Sequence, residues 1–436
     1  MRVVDKFAFL DTAQSYFVMI LRLFLMEKAG ELAGIKGQRF GRTFSDLPTG
    51  TELKSDQAEV IRLFSQTFPT LSLTESDTQF LQRALHVVKI NSRLMYHYSI
   101  TGQPFIVGRF LGLDVSCYKH SCRANAAMIS LGREVFVVPY WDSADLSNPN
   151  SLTVNYFQEQ LNPKIQNIGA EIVYEISSCS CRSCFPKYDY TLEAFIVVCP
   201  ACTNVTLIDP EVTGNLKCDS CNAAYSKKDS TVLRRFLDHV PKMTISHAFT
   251  ALPVFKVYVS PVLHLLWPHT YFRWKTLSSS MKELISLREL ALRGISQNLG
   301  VVWSLGDAEE WVEQCARGWA DTDLYGNPDA PQNLWQYLTA AFVAASQRRW
   351  SESEIHLDRA RRVVEVYFSP IGERRFPFHQ TMRYLARCIL MDKVGKNPTS
   401  LNLSDWFSYM PGFNSLGATG IMTSPDFASL FQLSLQ

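Results

Sequence analysis

No cysteine occurs before Cys117, so the thiol chemistry of this 436-residue chain is confined to its middle and C-terminal parts. Charge of either sign is not in excess: the formal net charge is +2. That balance does not call for a polyphosphate partner, and direct nucleic-acid binding is not expected. Long hydrophobic runs are also missing. The stretch Tyr16 to Met26 is apolar over eleven residues but contains Arg22, whereas a bilayer span requires about 20 apolar residues. Asp5 and Asp11 are out of place in a secretory signal. A buried helix, no membrane partner and a nuclear or cytoplasmic location are therefore expected. The composition, 47 % hydrophobic, is ordinary, and the length suits two or three domains with buried cores.

Eight of the eleven cysteines can be placed in two groups in the middle of the chain, counting one of Cys117 and Cys122 with the second. Cys199-Pro-Ala-Cys202, fifteen intervening residues and Cys218-Asp-Ser-Cys221 have the spacing of a zinc ribbon. Two short knuckles turn four thiolates toward one point, which suits tetrahedral Zn²⁺. Unrelated reduced pairs or a disulfide are the alternatives; the spacing and the lack of an export signal favour zinc. Between the knuckles, Val205 to Asn215 reads as a hairpin, with Asp209-Pro210 and Thr213-Gly214-Asn215 as its turn residues. The second group, Cys179, Cys181 and Cys184, supplies three ligands, and a closed site needs a fourth. Cys117 and Cys122 are the nearest candidates, and spacing does not choose between them.

The order of motifs here is informative. His120-Ser-Cys-Arg-Ala-Asn125 comes first, then Tyr156 after the strand-like run from Leu152, then Cys-x-Cys-x-x-Cys. It resembles the C-terminal half of a SET domain with its post-SET zinc site, in the subfamily that joins SET to a MYND finger. Ile90-Asn91-Ser92 and the segment Gly108 to Asp114 are similar to what precedes the motif in that family. The resemblance implies S-adenosylmethionine-dependent protein-lysine N-methyl transfer to a histone or non-histone lysine, and it makes Cys122 the fourth ligand beside Cys179, Cys181 and Cys184. It also places Asn91, Lys119 and His120 at the cofactor and gives Tyr156 the catalytic position. There a hydroxyl orients the amine and accepts weak contacts from the methyl group. Without the resemblance, Tyr156 reads as an ordinary aromatic of an alternating strand and His120 as a core histidine.

This chain departs from the family at named positions. Lys119 stands where the family has an asparagine that binds the cofactor; its ammonium would face two like charges there but could pair with the cofactor carboxylate. Ala124 replaces a proline, and Ser177 an aromatic of the adenine pocket. The family's Gly-x-Gly cofactor loop and cysteine-rich MYND finger precede the matching region, and neither occurs before Cys117. The chain reads as one that begins part-way through a SET domain.

Helical periodicity surrounds this region. Asp56 to Phe68 and Glu75 to Lys89 read as amphipathic helices, the second started by a capping box at Thr74 and buried through Phe80, Leu81, Ala84, Leu85 and Val88. Glu134 to Tyr140 is the clearest strand, and Lys227 to Asp238 returns to helix. Residues 247–272 carry three prolines and fit neither a long helix nor a long strand. Lys282 to Leu292, Ala308 to Trp319, Leu334 to Gln347 and Glu352 to Phe368 all have helical period. A capping box at Ser351 opens the last of these, with Ile355, Ala360, Val363, Val364 and Tyr367 inward. Tetratricopeptide-like stacking and a plain helical bundle are both open. The arginines from Arg348 to Arg375 alternate with acids and read as a solvated face. Trp406, Phe407, Tyr409 and Phe413 suggest docking of an otherwise loose tail.

The expected fold is thus α+β. A helical insert (1–104) precedes the C-terminal half of a β-rich SET domain (105–178). A post-SET region with the ribbon (179–230) and a connecting segment (231–280) lead to an all-α, tetratricopeptide-like domain (281–436). Two functions fit: a divergent protein-lysine methyltransferase, or a non-catalytic zinc-binding protein whose helical domain holds a peptide partner.

Overall fold

The computed structural model describes residues 13–49, 62, 64–71, 73–121, 124–131, 134–139, 151–155, 196–208, 216–239, 258–266, 273, 277, 281, 284, 305–322, 329–331, 333–398, 401 and 406. They divide into two compact units. The first takes residues 13–97 and 106–155, and the second takes residues 98–105 and everything described from 196 onward. The fold is mixed α+β, with small sheets and a helical C-terminal region. No helix among the described residues is long and apolar enough to cross a membrane.

In the first unit, the early apolar run forms helix α1 (Ala13–Lys28). It stops at Gly30, whose φ of 72° is cheap for glycine and lets Glu31 N–H reach back to Met26 O at 2.9 Å. Phe17, Ile20 and Phe24 point into the core, while Val18 and Leu25 lie on the outer face. Helix α2 (Glu75–Asn91) begins as expected: Asp77 N–H donates to Thr74 Oγ1 at 3.2 Å, and Thr74 N–H donates to Asp77 Oδ2 at 3.0 Å. Lys28 Nζ then pairs with Asp77 Oδ1 at 2.6 Å, tying the C-terminus of α1 to the N-terminus of α2. Between the helices, Phe17, Phe24, Phe64 and Phe68 form an aromatic cluster with ring centroids 5.1 to 6.1 Å apart. Phe17, Phe24 and Phe64 are buried, and each such ring contributes about 1.5–3 kcal/mol of transfer free energy. Residues 62 and 64–67 are helical, as expected for that stretch.

The turn-rich loop after α1 is held by one carboxylate. Asp114 accepts from Arg39 N at 2.8 Å and from Phe40 N at 3.1 Å. A Cβ at residue 37 would stand 2.0 Å from Asp114 Oδ1, so only glycine fits against this carboxylate.

Helix α2 runs directly into β1 (Ser92–Tyr98), which pairs with β2 (Pro104–Leu111). Strands β3 (Lys119–His120), β4 (Ala126–Leu131), β5 (Glu134–Pro139) and β6 (Thr153–Val154) make a four-stranded sheet in the order β3-β6-β4-β5. The β4–β5 pair is antiparallel, with Ala126 opposite Pro139 and Leu131 opposite Glu134. Strand β4 is buried along its whole length, which its Ala-Ala-Met-Ile-Ser-Leu sequence permits. Strand β6, from later in the chain, is inserted between β3 and β4 and runs parallel to both.

In the second unit, β7 (Ile196–Val198) pairs antiparallel with β8 (Val205–Leu207), and Val198 N–H also donates to Leu265 O at 2.7 Å. Helix α3 (Lys227–His239) follows. Among the proline-bearing residues, 260–262 form a 3₁₀ turn, and Arg273, 8 % exposed, donates to Leu263 O and Leu266 O. Helices α4 (Leu305–Ala320), α5 (Asn333–Ser346), α6 (Trp350–Tyr367) and α7 (Phe378–Lys393) come next. Consecutive members meet end to start. Gln347, just past α5, donates to Glu309 O in the first turn of α4; Ser353 Oγ donates to Ala341 O at 2.8 Å; Lys393 pairs with Glu354. Trp406 is fully buried and stacks on Phe342 at 4.5 Å, so the tail does dock at this position.

Two expectations for α6 are corrected. The helix begins at Trp350, with Arg349 as N-cap and no side-chain cap, so the Ser351 capping box does not start it. Ser351 is exposed, and the anchor of this turn is the half of it that packs: Trp350 is buried and Ser353 bonds α5. Ile355 is 57 % exposed and not inward. The buried stripe is Ser353, His356, Leu357, Ala360, Val363, Val364 and Tyr367, and Ile355 lies off it. Ala360, Val363, Val364 and Tyr367 are inward as expected. Three arginines of this stretch carry acid partners, Arg349 with Glu313 and Glu352, Arg359 with Asp321 and Arg361 with Asp358, and Arg317 of α4 shares the first two acids.

Candidate metal centre

Each cysteine pair is set by the same backbone device. In the first knuckle, Cys199 N–H donates to Asn204 O at 2.9 Å and Thr203 N–H to Cys199 O at 2.8 Å. In the second, Cys218 N–H donates to Ala223 O at 3.0 Å and Asn222 N–H to Cys218 O at 2.8 Å. The residue after each pair is left-handed, Thr203 at φ 59° and Asn222 at φ 58°. This turn folds each Cys-x-x-Cys so that both thiols face the same side.

The two knuckles are then brought together. Thr206 Oγ1 donates to Asp219 Oδ2 at 3.2 Å and accepts from Asp219 N–H at 3.4 Å, linking β8 to the second knuckle. A hairpin is formed upstream of the one expected from the sequence. The partner of β8 is β7, upstream, so the first knuckle is itself the hairpin tip; the bridge Lys217–Ala224 frames the second knuckle the same way. The expected turn residues 209–215 lie outside the described residues.

The result is a four-thiol site. The sulfurs of Cys199, Cys202, Cys218 and Cys221 all lie within 4.8 Å of one another, with Cys199–Cys221 at 3.8 Å and Cys202–Cys218 at 3.7 Å. A tetrahedron with bonds of about 2.3 Å has edges of about 3.8 Å. The donor set fits a metal ion, and zinc is compatible with it.

Backbone amides tune the sulfurs. Ala201 N–H approaches Cys199 Sγ at 3.4 Å. Cys218 is drawn down to about 7, first by the Cys221 N–H, against the opposing effect of burial. For Cys202, the Asn204 N–H acts downward, but burial and the other thiols outweigh it and push the thiol up to about 12. A bound cation would hold all four as thiolates. Tyr225, four residues past Cys221 and 5 % exposed, backs the site, and burial beside these sulfurs pushes its phenol up. Sequence reading passed over Tyr225, Thr206 and Asp219; their nearness to the cysteines in the chain was the available signal.

The other expected site residues are placed as follows. Asn91 is buried at the end of α2, its amide donating to Val87 O at 2.9 Å and Pro48 O at 3.1 Å. Lys119 and His120 form β3, Lys119 exposed and His120 half-buried, paired with Thr153 and Val154 respectively. Asn125 locks the two motif segments together: its Nδ2 donates to Ser151 O at 2.8 Å and its Oδ1 accepts from Thr153 N–H at 2.7 Å. Tyr156, Cys122, Cys179, Cys181 and Cys184, with Ser177, lie outside the described residues. Cys117, the rival of Cys122, is a half-buried free thiol in the 3₁₀ turn before β3. No family model matches the chain.

Proposed function

We propose that this chain is a zinc-binding protein of the SET-and-MYND type, built on the plan of S-adenosylmethionine-dependent protein-lysine N-methyltransferases, with a weakened hold on the cofactor. The observation that carries this reading is the pairing of β3 with β6. It sets His120 opposite Val154, two residues before Tyr156, although the two segments are more than thirty residues apart in the chain. Asn125 fixes that juxtaposition. The reading needs these two motif segments side by side.

The ribbon holds Zn²⁺ as a closed structural centre, since four thiolates leave no position for a reacting water. S-adenosylmethionine, when bound, would supply an electrophilic methyl group on its sulfonium. The chain's own residues would orient the lysine amine with Tyr156 and keep the donor and acceptor in line.

Two observations favour the non-catalytic alternative, a zinc-stapled scaffold for a peptide partner. Lys119 places an exposed ammonium where the family keeps a neutral amide. The Asn91 amide donates to two backbone carbonyls, which leaves it no free N–H for a cofactor. The test is calorimetry of the zinc-loaded chain with S-adenosylmethionine, beside the Lys119→Asn variant, followed by methyl transfer to histone and non-histone substrates. Weak or undetectable binding by the unmodified chain, tightened in Lys119→Asn, is the expected outcome. Micromolar binding by the unmodified chain, or turnover abolished by Tyr156→Phe, would overturn the weakened-cofactor reading and restore a working enzyme.

A further inference from the structure

The four thiols of the ribbon are not equivalent. Cys199 and Cys218 are buried, Cys202 is intermediate and Cys221 is exposed. Backbone N–H groups reach the sulfurs of Cys199, Cys202 and Cys218. An N–H···S bond withdraws electron density from a thiolate and lowers its nucleophilicity, and exposure sets which thiolate an oxidant meets first. Exposure singles out Cys221. The sulfur of Cys199 lies 3.8 Å from that of Cys221.

We propose that Cys221 is an oxidative modification site, at which peroxide opens the metal centre. The inference rests on the zinc reading given above. The Cys221 thiolate attacks one oxygen of hydrogen peroxide, breaking the O–O bond and forming a sulfenic acid with release of hydroxide. The Cys199 thiolate then displaces the second hydroxide from that sulfur, giving a Cys199–Cys221 disulfide. Two thiolates lose two electrons in all, and one peroxide is reduced to two hydroxides. Cys202 and Cys218 remain as a two-thiolate site, which is too few ligands to retain structural zinc. The ribbon thus couples the redox state of its surroundings to the order of residues 196–225.

The experiment uses the full zinc-loaded chain. Bound zinc is first measured by elemental analysis. Limited alkylation with N-ethylmaleimide and, separately, stepwise hydrogen peroxide are then followed by peptide mapping and by a chromogenic zinc indicator. Cys221 should be alkylated at least about tenfold faster than Cys199 or Cys218. Peroxide should release zinc in step with a Cys199–Cys221 disulfide. Zinc present, with another ribbon cysteine reacting first or a disulfide within one knuckle, overturns this inference and leaves the zinc reading standing. No zinc in the purified chain overturns both.

Discussion

Thr203 shows how a single residue is strained to build the site. Thr203 and Asn222 occupy equivalent positions after their cysteine pairs, and both are left-handed. Asparagine tolerates that region, whereas a β-branched side chain is an outlier there. The knuckle has to turn at this point for Thr203 N–H to close on Cys199 O, so the strain comes with the turn that converges the thiols. Thr203→Asn is expected to stabilise the zinc-loaded chain by about 1 kcal/mol. Urea denaturation of the two proteins at equal zinc checks this, and a neutral or destabilising result would show that the Thr203 Oγ1 bond to Cys202 O outweighs the relief.

At the scale of an element, helix α6 carries a histidine whose titration is set by burial. His356 is 4 % exposed, and its Nδ1 has no hydrogen-bond partner among the described residues. Burial first, then the Arg359 charge, lowers it from 6.5 to about 4; Asp321 and Glu352 act in the opposite sense and Arg317 in the same one. Between those two values the unfolded chain binds a proton that the folded chain does not. Stability therefore falls as the pH drops from about 6.5 to about 4. A shift of that size corresponds to about 3 kcal/mol at the acid end. His356→Leu should lose less stability on acidification than the unmodified chain. Equal losses in thermal melts at pH 7 and pH 4.5 would exclude His356 as the source.

At the scale of the whole molecule, the proposed zinc would add to stability. Structural zinc contributes on the order of 10 kcal/mol of apparent binding free energy, and that energy is also folding energy where the site does not exist without the fold. Because Val198 N–H bonds Leu265 O, loss of the ribbon should loosen residues 258–266 as well as β7 and β8. Chelation followed by hydrogen exchange should raise exchange at Val198 and its strand neighbours, with α5 and α6 protected. Unchanged protection at Val198 would mean that the knuckles hold without metal. Two Cys₄ sites imply about two zinc per chain. A stoichiometry of one would remove the expected site of Cys122, Cys179, Cys181 and Cys184 and keep the ribbon.

The sequence by itself determined what depends on neighbours in the chain. The Cys-x-x-Cys spacing fixed the ribbon ligands, because each knuckle closes within six residues; Thr74 and Asp77 fixed the start of α2, three residues apart. Apolar periodicity placed α2, α4, α5 and most of α6, where one stripe has to face a core, and the apolar run from Tyr16 to Met26 marked α1. Ile355 was misread because β-branched apolar character alone does not say which face a residue occupies. What only the tertiary structure decided are pairings between distant segments, whose partners carry no local mark. Asp114 closes a loop 75 residues upstream, β6 enters between β3 and β4, and β8 turns back on β7. In each case backbone N–H and C=O groups had to find partners once the chain was compact, and the choice among equivalent carbonyls and carboxylates was made by proximity in space.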